Sequence, residues 1–231
     1  MIYLSGITRL FQMGDQEVRA LSGINLKIAS GEYVSIMGPS GSGKSTLLNI
    51  IGLLDRPDLG RYELDGIDVT SLSEIEQACV RRKKIGFVFQ SFHLVPRLTA
   101  AENIELPLIL NGISPTNRKS IVEEALLKFD LSNRAQHRPA EMSGGQRQRT
   151  AIARATILRP TAILADEPTG NIDHRNGTEV MALLERLHHT GTTLIVVTHD
   201  RELGARADRH IAMRDGEIVM DDISERPNEI E

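Results

Sequence analysis

The sequence predicts an α/β fold with a parallel core sheet, a small antiparallel β part and an inserted α-helical lobe. Short apolar runs bounded by turn residues indicate buried strands, and they occur in two groups, before residue 90 and after residue 160. Between these groups the chain shows helical patterns and no convincing strand. We therefore expect a single domain over 1–231, with a core of about 1–91 and 159–223, a helical lobe of about 92–158, and a polar tail at 224–231.

The first group of strands surrounds a glycine-rich loop. Residues 23–28 alternate apolar and polar side chains, which is the period of a half-buried strand. Tyr33–Met37 predicts a short strand that runs straight into the glycine-rich loop, and Lys44–Ile51 predicts a buried helix. The next elements are a hairpin of 61–64 and 67–69 around Asp65-Gly66, a basic helix from the capping box Ser73/Glu76 to about Lys84, and a strand at Ile85–Phe89.

The second half of the chain begins with helices and returns to strands. A capping box at Thr99 and Glu102 predicts a helix towards Asn111, and helical patterns follow at 117–129 and 143–158. Apolar runs at 162–165 and 194–197 fit buried parallel strands, and a helix at 176–189 joins them. His188 and His189 on this helix point about 100° apart, so we predict a solvated face there and no metal site. The last element is a hairpin of 210–214 and 217–220.

Composition limits the classes of function. The 231 residues are enough for one sizeable core. Lys and Arg total 27 against 31 Asp and Glu, and the resulting charge of −4 argues against a nucleic-acid partner. The single cysteine, Cys79, excludes an intrachain disulfide and suits a reducing compartment. The start of the chain lacks a signal-peptide pattern, and the apolar stretch at 47–54 is too short to span a bilayer, so action at a membrane requires docking on another chain.

The strongest motif is a phosphate-binding loop, and it reads Gly38-Pro39-Ser40-Gly41-Ser42-Gly43-Lys44-Ser45-Thr46. Glycines let several backbone N–H groups point at anionic oxygens, and the following helix adds the positive end of its dipole. Lys44 is then expected to reach the β- and γ-phosphates, and the Ser45 hydroxyl to ligate Mg²⁺. A chance glycine-rich turn is the alternative, but this motif has the preceding strand and following helix that it requires.

Two adjacent carboxylates, Asp166 and Glu167, end the predicted strand at 162–165. Alternation sends neighbouring side chains in different directions, so the two carboxylates can have different roles. Asp166 suits the Mg²⁺ shell, and Glu167 suits a general base that polarises the attacking water. Alone, the pair would be an ordinary acidic strand end; beside a phosphate loop it indicates catalysis.

Gln90 and His199 occupy equivalent places after two other predicted strands. Ligands of open parallel sheets bind beyond the carboxyl ends of the strands. Each residue alone would be an ordinary hydrogen-bonded polar side chain, but their shared placement predicts that both lie where a γ-phosphate binds.

A second anion site is predicted at Ser143-Gly144-Gly145-Gln146, where a capping hydroxyl and two glycines open a helix. Because this site lies in the helical lobe, away from the phosphate loop, one chain carries two half-sites. A symmetric dimer would set each half-site against the nucleotide of the other copy and supply transition-state stabilisation in trans. The alternative is a simple helix cap.

Taken with Asn171-Ile172-Asp173, these motifs resemble the motif series of ABC ATPases over nearly the whole chain. The resemblance implies a P-loop NTPase with a RecA-like core sheet, an ATPase whose catalytic residues are Lys44, Gln90, Glu167 and His199. The resemblance also implies that Gln90 senses Mg²⁺ and the γ-phosphate and that His199 is the switch histidine. The segment from Ser143 to Gln146 would contact ATP in trans, and Asp173 would lie in the loop linking the two sites of the dimer.

Phe11 stands where this family keeps an aromatic residue that stacks on adenine. Tyr is more usual there, and Phe retains the π face without the hydroxyl. Core packing of Phe11 is an equally open alternative.

Three segments narrow the resemblance to the macrolide-export and lipoprotein-release branch of the family, and they are residues 85–96, 101–108 and 165–171. This branch implies ATP and Mg²⁺ as ligands, an ATP-dependent homodimer, an integral membrane partner, and a cytoplasmic location on the inner face of the membrane. A regulatory ABC ATPase of cell division and a soluble, non-transport ABC ATPase remain alternatives.

Overall fold

The computed structural model describes residues 1–14 and 16–223, which form two β-sheets with helices packed on them. The strands are β1 (Ile2–Met13), β2 (Gln16–Ile28), β3 (Tyr33–Met37), β4 (Leu59–Leu64), β5 (Ile67–Asp68), β6 (Ile85–Phe89), β7 (Ala162–Asp166), β8 (Thr193–Val197), β9 (Arg209–Arg214) and β10 (Glu217–Ile223). The α-helices are α1 (Lys44–Ile51), α2 (Glu74–Lys84), α3 (Ala100–Leu110), α4 (Pro115–Lys128), α5 (Gly144–Thr156), α6 (His174–His188) and α7 (Arg201–Gly204).

The larger sheet has six strands in the order β10-β9-β3-β8-β7-β6. The five strands from β9 to β6 are parallel, and β10 adds to the edge in the antiparallel sense. All residues of β8 are buried, because packed side chains cover both faces of a parallel sheet. This arrangement confirms the predicted parallel core sheet.

The smaller sheet is antiparallel, with the order β2-β1-β4-β5. Its apolar side chains share one core cluster with helix α1 and with one face of the larger sheet; the α1 members are Leu47, Leu48, Ile50 and Ile51. Helix α1 is therefore fixed between two sheets, and its N-terminus is held where β3 ends.

The other face of the larger sheet carries helices α3, α4, α5 and α6 in a second core cluster. Asn103 of α3 is fully buried there and fixes the loop before that helix. Its Oδ1 accepts a hydrogen bond from the Val95 N–H at 2.8 Å, and its Nδ2 donates to the carbonyls of Val95, Leu98 and Thr99. The buried amide thus satisfies backbone groups of an irregular turn whose own residues are partly or fully exposed.

The N-terminal strands differ most from the sequence prediction, which gave only residues 23–28. The structure has a long hairpin of β1 and β2 instead. Its pairing contains register shifts near Leu4, Ile7 and Arg9, and the first residues of β2 are exposed. Both features break the period-2 alternation by which a strand is recognised. Helix α6 also begins earlier than predicted, because Asp173 caps it. The tail predicted at 224–231 lies outside the described residues.

The prediction of a solvated face at His188 was wrong. His188 is only 8% exposed, and its ring centroid lies 5.5 Å from that of Tyr33 at the start of β3. Its Nδ1 lies 3.2 Å from the Thr192 carbonyl oxygen. The last turn of α6 packs against the beginning of β3, an interior strand, and this contact cannot be recognised from two adjacent histidines. His189 next to it is exposed.

Candidate active site

Four neighbouring parallel strands of the larger sheet have their carboxyl ends side by side, and each is followed by a predicted site residue. The strand register pairs Ile36 with Val197, Val197 with Asp166, and Asp166 with Phe89. The segments that begin at Gly38, Thr198, Glu167 and Gln90 therefore lie side by side. The structure brings together the residues that the sequence had placed in separate motifs.

The phosphate loop leaves the N-terminus of α1 without a side-chain cap. The N-cap residue is Gly43, at φ 96°, and among the described residues no side-chain hydrogen bond caps this end of the helix. Lys44 Nζ donates to the carbonyls of Gly38 and Pro39, at 2.9 and 2.8 Å. Ser42 Oγ is buried and has no hydrogen-bond partner among the described residues. Free N–H groups, a polar atom without a partner and a cation make a site suited to an anion such as a phosphate.

The path of this loop permits only glycine at two positions. At Gly43 an added Cβ would lie 2.5 Å from the Ala20 carbonyl oxygen of β2, and φ is in the left-handed region. At Gly38 an added Cβ would overlap the Met213 carbonyl oxygen of β9. Backbone from both sheets thus presses on the loop, so its conformation is fixed by the fold.

Asp166 and Ser45 form the part of the site suited to a metal ion. Burial raises the pKa of Asp166, and the neighbouring Glu167 carboxylate raises it further; a hydrogen bond from Ser45 and the charge of Lys44 offset part of this rise. A divalent cation here would favour the ionised carboxylate. Among the described residues, no three His, Cys, Asp or Glu side chains are arranged to hold a metal ion by themselves. Mg²⁺ in proteins commonly keeps waters and substrate phosphate oxygens in its shell.

Glu167 is held in an unusual backbone conformation by residues that follow β8. Its φ is 45°, and its N–H donates to the Val197 carbonyl at 2.9 Å. One carboxylate oxygen accepts the His199 N–H at 3.0 Å and lies 2.7 Å from His199 Nδ1, and the other accepts the Thr198 hydroxyl at 3.2 Å. A left-handed non-glycine residue is common at functional sites, because the surroundings must stabilise it, and here hydrogen bonds hold both carboxylate oxygens.

Gln90 lies beside the loop that follows the two carboxylates. An added Cβ at Gly170 would lie 2.5 Å from Gln90 Nε2, so the missing side chain provides the space that Gln90 fills. The amide of Asn171 donates to the Gln90 carbonyl at 3.0 Å. Gln90 is therefore in contact with the loop that leads from Glu167 to Asp173.

The second predicted anion site lies at the start of α5 and is closed by its own side chains. Ser143 Oγ accepts the Gln146 N–H at 3.3 Å, and Gln146 Oε1 accepts the Ser143 N–H at 3.0 Å. An added Cβ at Gly144 would lie 2.8 Å from Ile172 Cγ2, and one at Gly145 would lie 2.7 Å from Asn176 Oδ1. None of these contacts involves the four strand ends. This half-site packs instead against residues 171–176, the segment that leads into α6 and forms its first residues.

Asp173 caps the next helix, α6. Its Oδ1 accepts the Asn176 N–H at 3.1 Å and its Oδ2 accepts the Asn176 amide at 2.6 Å. These hydrogen bonds, led by the backbone bond from Asn176, hold the pKa of Asp173 below its ordinary value. Asn176 thus contacts both Asp173 and the Gly145 position.

Phe11 of β1 is 38% exposed, so its alternative interpretation as a core residue was wrong. The Arg9 guanidinium lies over its ring, 4.8 Å from the centroid, and pairs with Asp55 and Asp58 at 2.9 and 3.0 Å. The placement is compatible with a ring that offers a face to a planar ligand. Adenine stacking stays a prediction.

Two residues of the site were missed from the sequence. Thr198 is fully buried and binds Glu167, and its position directly before His199 was a usable signal. Gln148 is also fully buried; its Nε2 donates to the Pro168 carbonyl at 2.6 Å and to the Phe89 carbonyl at 3.4 Å. A polar residue on the buried face of α5 gives no local sign of such partners.

Comparison with known proteins identifies the family to which the chain is similar. A profile of the family described as ABC transporter matches residues 21–170. The uncharacterized ABC transporter ATP-binding proteins YvrO and YknY of Bacillus subtilis (strain 168) are 49% and 50% identical to this chain; the matches cover 96% and 95% of it and 97% and 95% of those proteins. The macrolide export ATP-binding/permease protein MacB of Brucella melitensis is 50% identical over 96% of this chain, which spans only 34% of that protein.

The solved structures include a dimeric, post-hydrolysis state of the ATP-binding cassette MJ0796 bound to ADP and Pi. It superposes with a TM-score of 0.91 at 45% identity and covers 98% of this chain and 100% of its own. A second dimeric structure of MJ0796, described as a bacterial ABC transporter cassette, gives the same TM-score at 46% identity.

Proposed function

This chain belongs to the ABC transporter family and has the fold of an ATP-binding cassette, and we propose that it binds and hydrolyses ATP as a homodimer that drives a membrane partner. One observation carries this proposal: at the carboxyl ends of the core strands, an uncapped helix N-terminus, Asp166 and the Glu167–His199 pair lie together.

The phosphate loop and α1 hold the triphosphate in this proposal. Backbone N–H groups of the loop bind the phosphate oxygens, and Lys44 exchanges its two carbonyl acceptors for the β- and γ-phosphates. Ser45, Asp166 and Gln90 are the residues that would hold Mg²⁺. The ion, when bound, supplies positive charge that offsets the negative charge developing on the transferred phosphoryl group.

Glu167 is the general base. It lies directly after Asp166, and His199 and Thr198 fix both of its oxygens. A carboxylate so positioned accepts the proton of the water that attacks the γ-phosphate, and His199 orients the carboxylate and contacts the phosphoryl group. Glutamine at this position retains the shape of the side chain and loses the base.

The homodimer follows from the location of the second half-site. Ser143 does not lie among the strand ends that hold the phosphate loop, so a single chain leaves its nucleotide exposed on one side. A head-to-tail pair would cover each ATP with the α5 N-terminus of the other copy. The two solved MJ0796 structures, both described as dimers, support this arrangement.

The membrane partner is a separate integral membrane subunit in this proposal, and the chain acts on the cytoplasmic face of the membrane. Among the described residues, no helix is long and apolar enough to cross a bilayer. YvrO and YknY, called ATP-binding proteins, match this chain over nearly their full length. The match to MacB, whose name combines ATP-binding and permease roles, supports the macrolide-export and lipoprotein-release branch.

The test uses purified protein and the variant Glu167→Gln. We expect Mg²⁺-dependent phosphate release by the unchanged protein and a drop in kcat of about 10²–10³-fold in the variant. With ATP and Mg²⁺ the variant should elute as a dimer on a sizing column, and with ADP as a monomer. Finding only monomer with ATP contradicts the dimer, and unchanged turnover contradicts the role of Glu167.

The partner is tested by purifying the tagged chain from detergent-solubilised membranes. We expect an integral membrane protein to co-purify in a fixed ratio and to raise or lower the ATPase rate when added back. An ATPase that is recovered entirely from the soluble fraction, with no membrane protein bound, would instead favour a soluble, non-transport role.

A further inference from the structure

Helix α5, which begins at the Ser143 half-site, also binds the backbone that follows Gln90. Arg154, near the end of the helix, donates from Nη1 to the His93 carbonyl at 2.6 Å and from Nη2 to the Phe92 carbonyl at 3.0 Å. Arg147, two turns earlier, places its guanidinium 4.9 Å from the centroid of the Phe92 ring. Two arginines of one helix therefore contact the same short segment.

This segment has a backbone conformation that needs outside support. Phe92 and His93 have φ values of 59° and 47°, in the left-handed region that residues with a Cβ rarely adopt. Consecutive residues of this kind persist only where their surroundings stabilise them. The Phe92 side chain is buried, and the His93 ring lies 4.5 Å from that of Phe89, so the segment is also packed against β6.

The Arg154 guanidinium is suited to hold such a segment. Its planar fork delivers two hydrogen bonds in a fixed geometry, which a lysine ammonium cannot do. Arg154 is partly buried, and this burial lowers the pKa of its guanidinium below the ordinary value. A cation that is partly removed from water needs acceptors, and the two carbonyls supply them. Arg154 and the segment 92–93 therefore stabilise each other.

We propose that Arg154 is a positioning residue for Gln90: by holding the Phe92 and His93 carbonyls, it makes Gln90 and helix α5 respond as one unit. The proposal rests on the ATPase function proposed above. When ATP draws Gln90 towards the γ-phosphate, the same displacement reaches α5 and sets the Ser143 half-site for the other copy of the dimer. Without Arg154, Gln90 still meets the nucleotide, and the second half-site does not follow.

The first test replaces Arg154 with methionine, which keeps much of the side-chain volume and removes the donors. We expect kcat to fall by about tenfold while the affinity of the monomer for ATP changes by less than about twofold. In the Glu167→Gln background, Arg154→Met should lower the fraction of ATP-induced dimer on a sizing column. Arg154→Lys should give an intermediate kcat, because an ammonium keeps the charge and can still donate to carbonyls but lacks the fixed fork geometry of the guanidinium.

The matched control is Arg118→Met. Arg118 is a partly buried arginine of α4 that pairs with Glu105 at 2.6 Å and donates to the Ile113 carbonyl at 2.7 Å. Neither of these two bonds involves the segment after Gln90. We expect this variant to lose a similar amount of thermal stability and to keep its kcat. Hydrogen exchange should rise at the amides of residues 91–95 in Arg154→Met only.

A double-mutant cycle separates positioning from general support. If Arg154 acts through Gln90, Arg154→Met should lower kcat by less than about twofold once Gln90→Ala is present. The proposal would be overturned if the kcat of the double variant fell by the product of the two single fold-changes. It would also be overturned if Arg154→Met lost as much ATP affinity as kcat. If Arg154→Met does not fold, Arg154→Lys carries the same cycle. A protein that hydrolyses ATP and responds to Glu167→Gln, yet shows independent effects of Arg154 and Gln90, would contradict this inference and leave the proposed function standing.

Discussion

Two helix N-termini in this chain present glycine and serine to an anion, and they are built in opposite ways. At α1 the cap is Gly43; among the described residues no side-chain hydrogen bond caps the helix, and the buried Ser42 hydroxyl has no partner. At α5 a closed capping box is present: the Ser143 hydroxyl accepts the Gln146 backbone N–H, and the Gln146 side-chain oxygen accepts the Ser143 backbone N–H. The first N-terminus is open and the second is self-satisfied.

The difference teaches where binding energy resides. An open N-terminus, fixed between two sheets, has backbone N–H donors without protein acceptors. When a phosphate binds, these donors form hydrogen bonds without breaking any within the protein. A closed N-terminus has to exchange internal hydrogen bonds for external ones, so the gain is small unless other contacts contribute. A single chain is therefore expected to bind ATP at α1 alone, and the α5 site is expected to act only when a second copy supplies the nucleotide.

The largest effect that this comparison predicts is the loss of ATP binding in Gly43→Ala. The new Cβ would lie 2.5 Å from the Ala20 carbonyl oxygen, at a φ of 96°. Because the obstacle is backbone, the loop itself must move, and we expect strain of about 2–3 kcal/mol, or about a 100-fold loss of ATP affinity. Titration with a fluorescent ATP analogue measures this.

Gly112→Ala is the control for backbone strain without crowding. Gly112 also has a left-handed φ, of 70°, but an added Cβ would meet nothing within 4 Å. This variant should be destabilised and bind ATP normally. Normal binding by Gly43→Ala as well would show that the open N-terminus is not a prearranged site.

The next largest effect is a loss of turnover in Ser143→Ala without a loss of binding. We expect about a tenfold lower kcat, an unchanged ATP affinity of the monomer, and about 1 kcal/mol lower stability from the lost cap. Ser73→Ala is the matched control, because Ser73 caps α2 in the same type of box with Glu76. It should cost similar stability and leave kcat unchanged. Weakened ATP binding by Ser143→Ala would break the distinction between the two N-termini.

The sequence predicted those parts of the molecule whose information is contiguous. The phosphate loop, the capping boxes at Ser73 and Thr99, the capping hydroxyl at Ser143 and the core strands are each encoded in a few consecutive residues, and the structure has them where expected. The convergence of Gln90 with the strand ends also followed from the topology rule for parallel sheets.

The parts that escaped prediction depend on partners distant in sequence. Arg154 binds backbone 61 and 62 positions away, and Gln148 binds backbone at Phe89 and Pro168. His188 is buried because Tyr33 lies against it. The β1–β2 hairpin escaped for a different reason, since its irregular register removes the alternation on which strand prediction relies.

A smaller effect tests how tightly the closed N-terminus packs on its neighbour. Gly145→Ala should gain up to about 1 kcal/mol of helix propensity but lose more than this because its Cβ would lie 2.7 Å from Asn176 Oδ1. In an Asn176→Ala background the two nearest atoms are gone and only the Cβ, at 3.1 Å, remains close, so the same substitution should cost clearly less. Urea denaturation of the four proteins measures the difference between the two backgrounds. An equal effect in both backgrounds would show that Gly145 and Asn176 are not coupled.

The smallest predicted effect concerns pH, and it distinguishes the helix cap at Asp173 from the one at Ser143 by how much stability each contributes as the pH falls. Asp173 caps α6 through Asn176, first through the backbone N–H, and its pKa is lowered in the folded state. A carboxyl group with a depressed folded pKa contributes stability that is complete above its ordinary pKa of about 3.9 and is lost as the pH falls through the folded value.

Asp173→Asn retains a good cap without a titratable group. The stability of the unchanged protein relative to this variant should therefore be constant from pH 7 to about pH 5 and should decline at lower pH, as thermal unfolding would show. The corresponding difference for Ser143→Ala should not follow this curve, because neither Ser143 nor Gln146 titrates. A parallel decline in both comparisons would mean that general acid destabilisation sets the trend, and that the cap at Asp173 is no more pH-dependent than the one at Ser143.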